Sequence, residues 1–230
     1  NALSQEMMHH LKVAIDQVHQ NDNLSCIIIK ATGKAFCAGH DIKQMQANAK
    51  QDYYQELFHQ CSHLMQSIVE CPIPVIAQVQ GIATAAGCQL VASCDLAIAS
   101  DDARFAVSGI NLGLFCATPA VALSRNIHPK QAMEMLLTGE FISATKAQSL
   151  GLINGVVAND ELTAATRELA TKISHKAKAA VRTGKAMFYP QLDMTLGQAY
   201  EYATGHMVNN LMDAETQGGL DAFVNKKSKD

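Results

Sequence analysis

The chain has no apolar run near the roughly 20 residues that span a bilayer, and no membrane partner is expected. No basic segment followed by an apolar core opens it, so no signal peptide is readable. It does not begin with Met, and a leading segment is expected ahead of Asn1. Charge is scarce: Asp, Glu, Lys and Arg make up 17%, with a net charge of −3. That balance gives no bulk attraction to nucleic acid or an anionic membrane, and no nucleic-acid partner is expected. No C-x-x-C occurs among the seven cysteines, Cys26, Cys37, Cys61, Cys71, Cys88, Cys94 and Cys116. An odd number in mostly apolar surroundings implies reduced thiols inside a cell, not a disulfide framework. There is no G-x-G-x-x-G, and Gly33-Lys34 lacks the flanking residues of a P-loop, so a nucleotide cradle is not supported. Internal repeats, low-complexity stretches and Gly/Ser linkers are also missing.

What remains is a globular composition, 230 residues with 48% apolar, enough for a substantial core. Residues 26–29, 75–79, 96–99 and 153–157 are short apolar runs and read as buried strands. Pro72 and Pro74 mark the entry to the second. Residues 6–18 and 53–69 carry apolar side chains at three-to-four spacing and read as helices. Strands alternating with helices predict an α/β fold with largely parallel strands. After residue 158 the strand signal stops. Asp160 is expected to cap a helix to about Ser174, and Thr195 to open one through Leu211. The expected division is therefore a core over 1–158 and a helical region over 159–230. Such a tail packs across a neighbouring subunit or folds back on its own core, and periodicity does not choose.

The most informative stretch is Gly81-Ile82-Ala83-Thr84-Ala85-Ala86-Gly87-Cys88-Gln89-Leu90. Five of its ten residues are Gly or Ala, so backbone is laid bare where a strand passes into a helix. The first N–H groups of a helix lack internal partners and carry partial positive charge. The ordinary explanation for such a run is close packing. A second bare turn, Ala38-Gly39 in Lys34-Ala35-Phe36-Cys37-Ala38-Gly39-His40-Asp41-Ile42, shifts the balance. Two bare turns, each after a buried strand, can aim two N–H groups at one oxygen and form an oxyanion hole. Asp41 is placed to accept backbone hydrogen bonds and fix its turn.

These two segments resemble the signatures of the crotonase (enoyl-CoA hydratase/isomerase) superfamily. The resemblance extends through Asn1-Ala2-Leu3-Ser4, Cys94-Asp95, 105–113, Leu137-Thr138-Gly139, 147–152 and 219–226, essentially the whole chain. Within the superfamily, 81–95 and Gly113-Leu114-Phe115-Cys116 look closest to one branch. The resemblance implies a spiral of ββα turns with a C-terminal helical trimerisation region, giving a homotrimer or dimer of trimers. The family's opening strands, which precede the Asn-Ala-Leu-Ser match, are not in this sequence. The implied substrate is an acyl-CoA thioester whose carbonyl becomes an enolate. Coenzyme A enters as part of that substrate, and no permanently bound cofactor or metal is implied. The oxyanion donors would be the N–H groups of His40 and Ala86. Contacts to CoA would come from Ala35, Ala38, Asp41 and Ile42, and from Phe223 and Lys226 across a subunit boundary. A bacterial cytoplasm or a mitochondrial matrix is the expected compartment.

The match breaks at the acid/base positions. Hydration of an enoyl thioester needs an activated water and a proton for carbon, and the family's hydratases use two glutamates. Here those positions are Gln89 and Gly109. Losing a general acid or base typically costs about 10²–10⁴-fold per group, so hydration is expected to be weak or absent. The aspartate of some isomerases would fall near Ala117. Decarboxylation of a malonyl-type thioester needs no such base, because the departing carboxylate leaves its electrons behind. The methylmalonyl-CoA decarboxylase branch also looks like Ala38-Gly39-His40-Asp41-Ile42 and Asn111-Leu112-Gly113, although its tyrosine would fall near Cys116. A CoA-binding or assembly protein without turnover is the third reading.

Other residues have plainer explanations. His59 and His63 could flank a metal, but with no third ligand nearby a solvated or capping role is expected. Cys116 could be a nucleophile or weak proton donor, but a small buried filler is favoured. The His40 imidazole could act as an acid or matter only for its backbone. Asp95 reads as a structural carboxylate at a strand entry. Lys176, Lys178, Arg182 and Lys185 read as a solvated helix face, since no interleaved aromatics suggest an RNA surface.

Overall fold

The computed structural model describes residues 1–227; the side chains of residues 19, 20, 226 and 227 lie outside that description. In chain order come α1 (Gln5–Asp16), β1 (Ile27–Lys30), β2 (Ala35–Cys37), α2 (Ile42–Ala47) and α3 (Gln51–Glu70). Then follow β3 (Val75–Val79), β4 (Ile82–Thr84), α4 (Ala86–Ser93), β5 (Leu96–Ser100) and β6 (Arg104–Ala106). Next are α5 (Ala117–Ser124), α6 (Pro129–Thr138), β7 (Ile142–Ser143), α7 (Ala144–Ser149) and β8 (Gly155–Val157). The chain ends in α8 (Leu162–Ser174), α9 (Lys178–Gln191), α10 (Leu196–Leu211) and α11 (Ala214–Lys227).

The strands divide between two sheets, ordered β1-β3-β5-β8 and β2-β4-β6-β7. Each ββ pair gives one strand to each sheet, and a helical segment returns the chain to the next pair. This is the ββα spiral. All pairings are parallel except β6 with β7. In the first sheet Ile28 pairs with Ile76, Gln78 with Ile98, and Ile98 with Gly155. Strand β3 lies in its middle and every one of its residues is buried, as a parallel strand covered on both faces should be. Its one polar side chain, Gln78, donates Nε2–H to Thr163 Oγ1 on α8 at 3.2 Å. Leu57, Cys61, Leu64 and Ile68 of α3 are buried in the same core as Val75, Ala77 and Val79.

Two expectations need correction. The cap of α8 is Glu161 and no side chain bonds there, so Asp160 does not cap it. The chain turns into the helix at Glu161, which already has helical backbone angles. Lys185 is not on a solvated face, being only 9% exposed. Its ammonium donates to the carbonyls of Ile68 and Ile73, 3.0 Å each, and to Asp95 Oδ2 at 2.6 Å. Asp95 also accepts from Val75 N at 2.7 Å and from Tyr189 OH at 2.7 Å. All three ammonium hydrogens are used, which is what a buried cation needs. This network pins α9 to the loop before β3 and the entry of β5. Asp95 is thus the structural carboxylate expected, and α8 and α9 fold back on the chain's own core. Thr195 does open α10, with Gln198 Oε1 accepting its N–H at 3.2 Å.

Candidate active site

The two bare turns meet. Strand β2 ends at Cys37, and Gly39 follows with φ +87°, a left-handed conformation that glycine adopts without steric cost. A Cβ on Gly39 would stand 3.0 Å from Ala85 Cβ, 3.2 Å from the Thr84 carbonyl oxygen and 3.3 Å from Ala86 N. Behind it, a Cβ on Gly87 would collide with the Cys37 carbonyl, its carbon and its Cβ. Only glycine at 39 and 87 allows β2 to approach the start of α4 this closely. Residue 86 is the first of α4, and Ala85 before it holds φ 51°, ψ −121°. That conformation is costly for a residue with a side chain, by about 1–3 kcal/mol, and it aims the first turn of α4. Among the described residues, neither the His40 N–H nor the Ala86 N–H is taken up by a backbone carbonyl. Asp41 caps α2, accepting from Lys43 N at 2.9 Å and Gln44 N at 3.1 Å, as its sequence context predicted.

The acid/base positions are arranged differently. Gln89 is 4% exposed, and its Oε1 faces Cys61 Sγ on α3 at 4.0 Å. Burial pushes the Cys61 thiol up to about 12, so that partner stays neutral. Gly109 has no room for a side chain. A Cβ there would lie 2.7 Å from Cys116 Sγ and 2.7 Å from the Leu114 carbonyl. The sulfur of Cys116 and the Leu114 carbonyl thus close the space beside residue 109. Cys116 is buried, and burial raises its thiol pKa despite a backbone hydrogen bond from Gly109 that pulls the other way. Its sulfur packs against residue 109. The sequence missed that Gly109 and Cys116 exclude each other's bulk; only the fold of the turn reveals it.

The His40 ring packs edge-on against Phe58 of α3, centroids 5.4 Å apart. Its Nε2 is buried without a hydrogen-bond partner, and burial lowers the imidazole pKa. The ring is therefore neutral at pH 7. Ala38 N–H donates to the Asn1 carbonyl at 3.0 Å, and the Ala35 carbonyl accepts from Asn1 Nδ2 at 2.6 Å. Ile42, at 47% exposed, stands open beside them. Phe223 is 60% exposed on α11, which packs on α9 and α10. The Lys226 side chain lies outside the described residues. His59 and His63 stack loosely at 6.3 Å along a groove of about 290 Å³ shared with His9, Lys12 and Glu56. This groove, between α1 and α3, is lined by none of the site residues. Among the described residues no three His, Cys, Asp or Glu side chains are placed to hold a metal. No described helix is long and apolar enough to cross a membrane.

A ββα spiral followed by helices, with two bare turns that meet at the start of α4, defines a crotonase-fold protein. The sequence profile of the enoyl-CoA hydratase/isomerase family matches residues 1–230, and the chain belongs to that family. It is 48% identical over 227 residues to the mouse mitochondrial enoyl-CoA hydratase domain-containing protein 3. That match covers 99% of this chain and 76% of the mouse protein. This is the branch that residues 81–95 resemble. The crystal structure of the human domain-containing protein 3 superposes with a TM-score of 0.95 at 47% identity, covering 98% of this chain and 89% of that one. An enoyl-CoA hydratase structure from Mycobacterium smegmatis gives 0.96 at 51% identity, covering 98% and 88%. The expected family, crotonase fold and helical C-terminal region are therefore borne out, and the family places the chain in acyl-CoA metabolism.

Proposed function

We propose that the protein binds an acyl-CoA thioester and stabilises its enolate between the N–H groups of His40 and Ala86. No carboxylate serves as general acid or base. The observation that carries this reading is Gly109, where packing against Cys116 and Leu114 leaves no space for a side chain. With Gln89 at the other position, hydration by a glutamate pair has no residues to perform it. The oxyanion hole survives that loss because it is made of backbone. Donors held in place before reaction supply a few kcal/mol of charge stabilisation at no reorganisation cost.

Decarboxylation of a malonyl-type thioester suits such a site. The bond from the α-carbon to the carboxylate breaks, and its electron pair enters the α-carbon–carbonyl system. Negative charge collects on the thioester oxygen, where two N–H groups receive it. Carbon dioxide leaves, and the enolate takes its proton from water. No side chain needs to remove a proton. Ala35, Ala38, Asp41 and Ile42 form the near wall for CoA, with Phe223 and Lys226 supplied by a neighbouring subunit. Exposed Leu196, Tyr200, Met207 and Val208 on α10, with Met212 just after it, favour a trimeric assembly, since apolar side chains in such number mark interfaces. Seven unpaired thiols suit a reducing compartment, a bacterial cytoplasm or a mitochondrial matrix.

The test offers purified protein crotonyl-CoA and methylmalonyl-CoA in parallel and follows products by mass spectrometry. Loss of carbon dioxide from methylmalonyl-CoA supports the decarboxylase reading. Hydroxyacyl product at an ordinary enzymatic rate overturns the claim that the acid/base pair is gone. Binding of both thioesters without product assigns a non-catalytic CoA-binding role.

A further inference from the structure

The hydroxyls of Thr84 and Ser108 lie 2.8 Å apart beside the site. Thr84 closes β4, two residues before Ala86, and its carbonyl oxygen lies against the Gly39 turn. Ser108 opens the 108–112 turn and directly precedes Gly109. The pair therefore links the oxyanion strand to the turn that has lost its carboxylate. Both residues are half-buried, neither sealed in the core nor fully in solvent. Two hydroxyls bonded to each other use one of their two hydrogens and keep several lone pairs. One hydroxyl hydrogen remains for a ligand, already oriented by its partner.

With the thioester carbonyl at His40 N and Ala86 N, the next acyl atoms leave the hole along these segments. A neutral hydroxyl pair is a selective contact for an oxygen acceptor on them. It hydrogen-bonds a carboxylate and orients it without the full charge pairing a lysine or arginine would give. Loss of carbon dioxide from a strongly charge-paired carboxylate would be opposed, because the pairing holds the ground state more tightly than the transition state. An alkyl branch in the same place would leave the hydroxyl hydrogen without a partner.

Resting on the reading of the site given above, we propose that the Thr84–Ser108 hydroxyl pair is its acyl-side specificity element, selecting thioesters with a carboxylate on the α-carbon. It positions that carboxylate and does not take part in bond breaking.

Calorimetric titration with two ligands tests this. The first is 2-sulfopropionyl-CoA, whose sulfonate stands in for the carboxylate and cannot leave as carbon dioxide. The second is isobutyryl-CoA, which has a methyl group in its place. A hydrogen bond to an anion predicts at least about tenfold tighter binding of the sulfonate. Thr84→Val and Ser108→Ala should each bring that ratio close to one, and Thr84→Ser should restore most of it. A purely structural pair would behave otherwise: both variants would melt earlier and weaken both ligands together, leaving the ratio unchanged. That result, or a wild-type ratio near one, overturns the proposal. Failure of both thioesters to bind would sink the underlying reading and this proposal with it, and is distinct from binding without preference.

Discussion

Gly109→Ala probes the closed space at residue 109 most sharply. The new Cβ would stand 2.7 Å from Cys116 Sγ and 2.7 Å from the Leu114 carbonyl oxygen. Non-bonded heavy atoms rest near ~3.5–4.0 Å, so each contact is roughly 1 Å too short. A backbone carbonyl inside a tight turn cannot swing aside, and Cys116 is buried with little space to turn into. Overpacking of this kind costs about 1–3 kcal/mol. For a domain of this size 1 kcal/mol moves the midpoint by about 2–4 °C, so Tm should fall by about 2–12 °C. Adding Cys116→Ala removes the sulfur but not the carbonyl, and should recover only part of the loss. Gly109→Glu should melt at least as early as Gly109→Ala and should gain no hydratase activity, because its Cβ already meets the Cys116 sulfur and the Leu114 carbonyl. Differential scanning calorimetry of the four proteins, with a crotonyl-CoA assay beside it, gives the answer. A Gly109→Ala protein melting within about 1 °C of the parent would refute the reasoning, because the turn would then have room.

Three further outcomes follow from other parts of the molecule. Lys185→Met removes one partner of a buried ion pair and strands two carbonyls; urea unfolding should show a loss of about 3–5 kcal/mol, and a loss below about 1 kcal/mol would contradict the network. Burial lowers the His40 pKa, so the folded protein binds fewer protons there than the unfolded chain. Stability should therefore be full above about pH 6.5 and decline as pH falls towards the folded value; a His40→Asn protein should show a flatter profile over the same range, and parallel profiles would exclude this contribution. Ala85→Gly relieves a strained conformation worth about 1–3 kcal/mol but loosens the unfolded chain by about 0.4–1 kcal/mol, so its unfolding free energy should rise or stay level, and a clear fall would show that the Ala85 side chain holds the turn.

The first sheet was legible because its strands are continuous apolar runs between turn residues, and 27–30, 75–79 and 96–100 form where expected. The second sheet was not. Its strands are two or three residues long, too short for any periodicity to register; only the family resemblance implied them. Helix signals at α1, α3 and α10 were clear, whereas Lys185 was misread because a lysine's burial depends on three acceptors from distant parts of the chain. At the site, the bare backbone of Ala38-Gly39 and Ala85-Ala86-Gly87 carried the oxyanion prediction. The closed space at Gly109 was invisible, since it arises from a turn that brings Cys116 back onto residue 109. The Thr84–Ser108 contact likewise joins residues 24 apart in sequence, and nothing in their spacing announces it.

A crystal structure with isobutyryl-CoA bound would test the central claim most directly. The thioester carbonyl oxygen should lie about 3 Å from both His40 N and Ala86 N, with the acyl chain leading towards Thr84 and Ser108. A carbonyl oxygen resting elsewhere, or touching only one of the two N–H groups, would contradict the account.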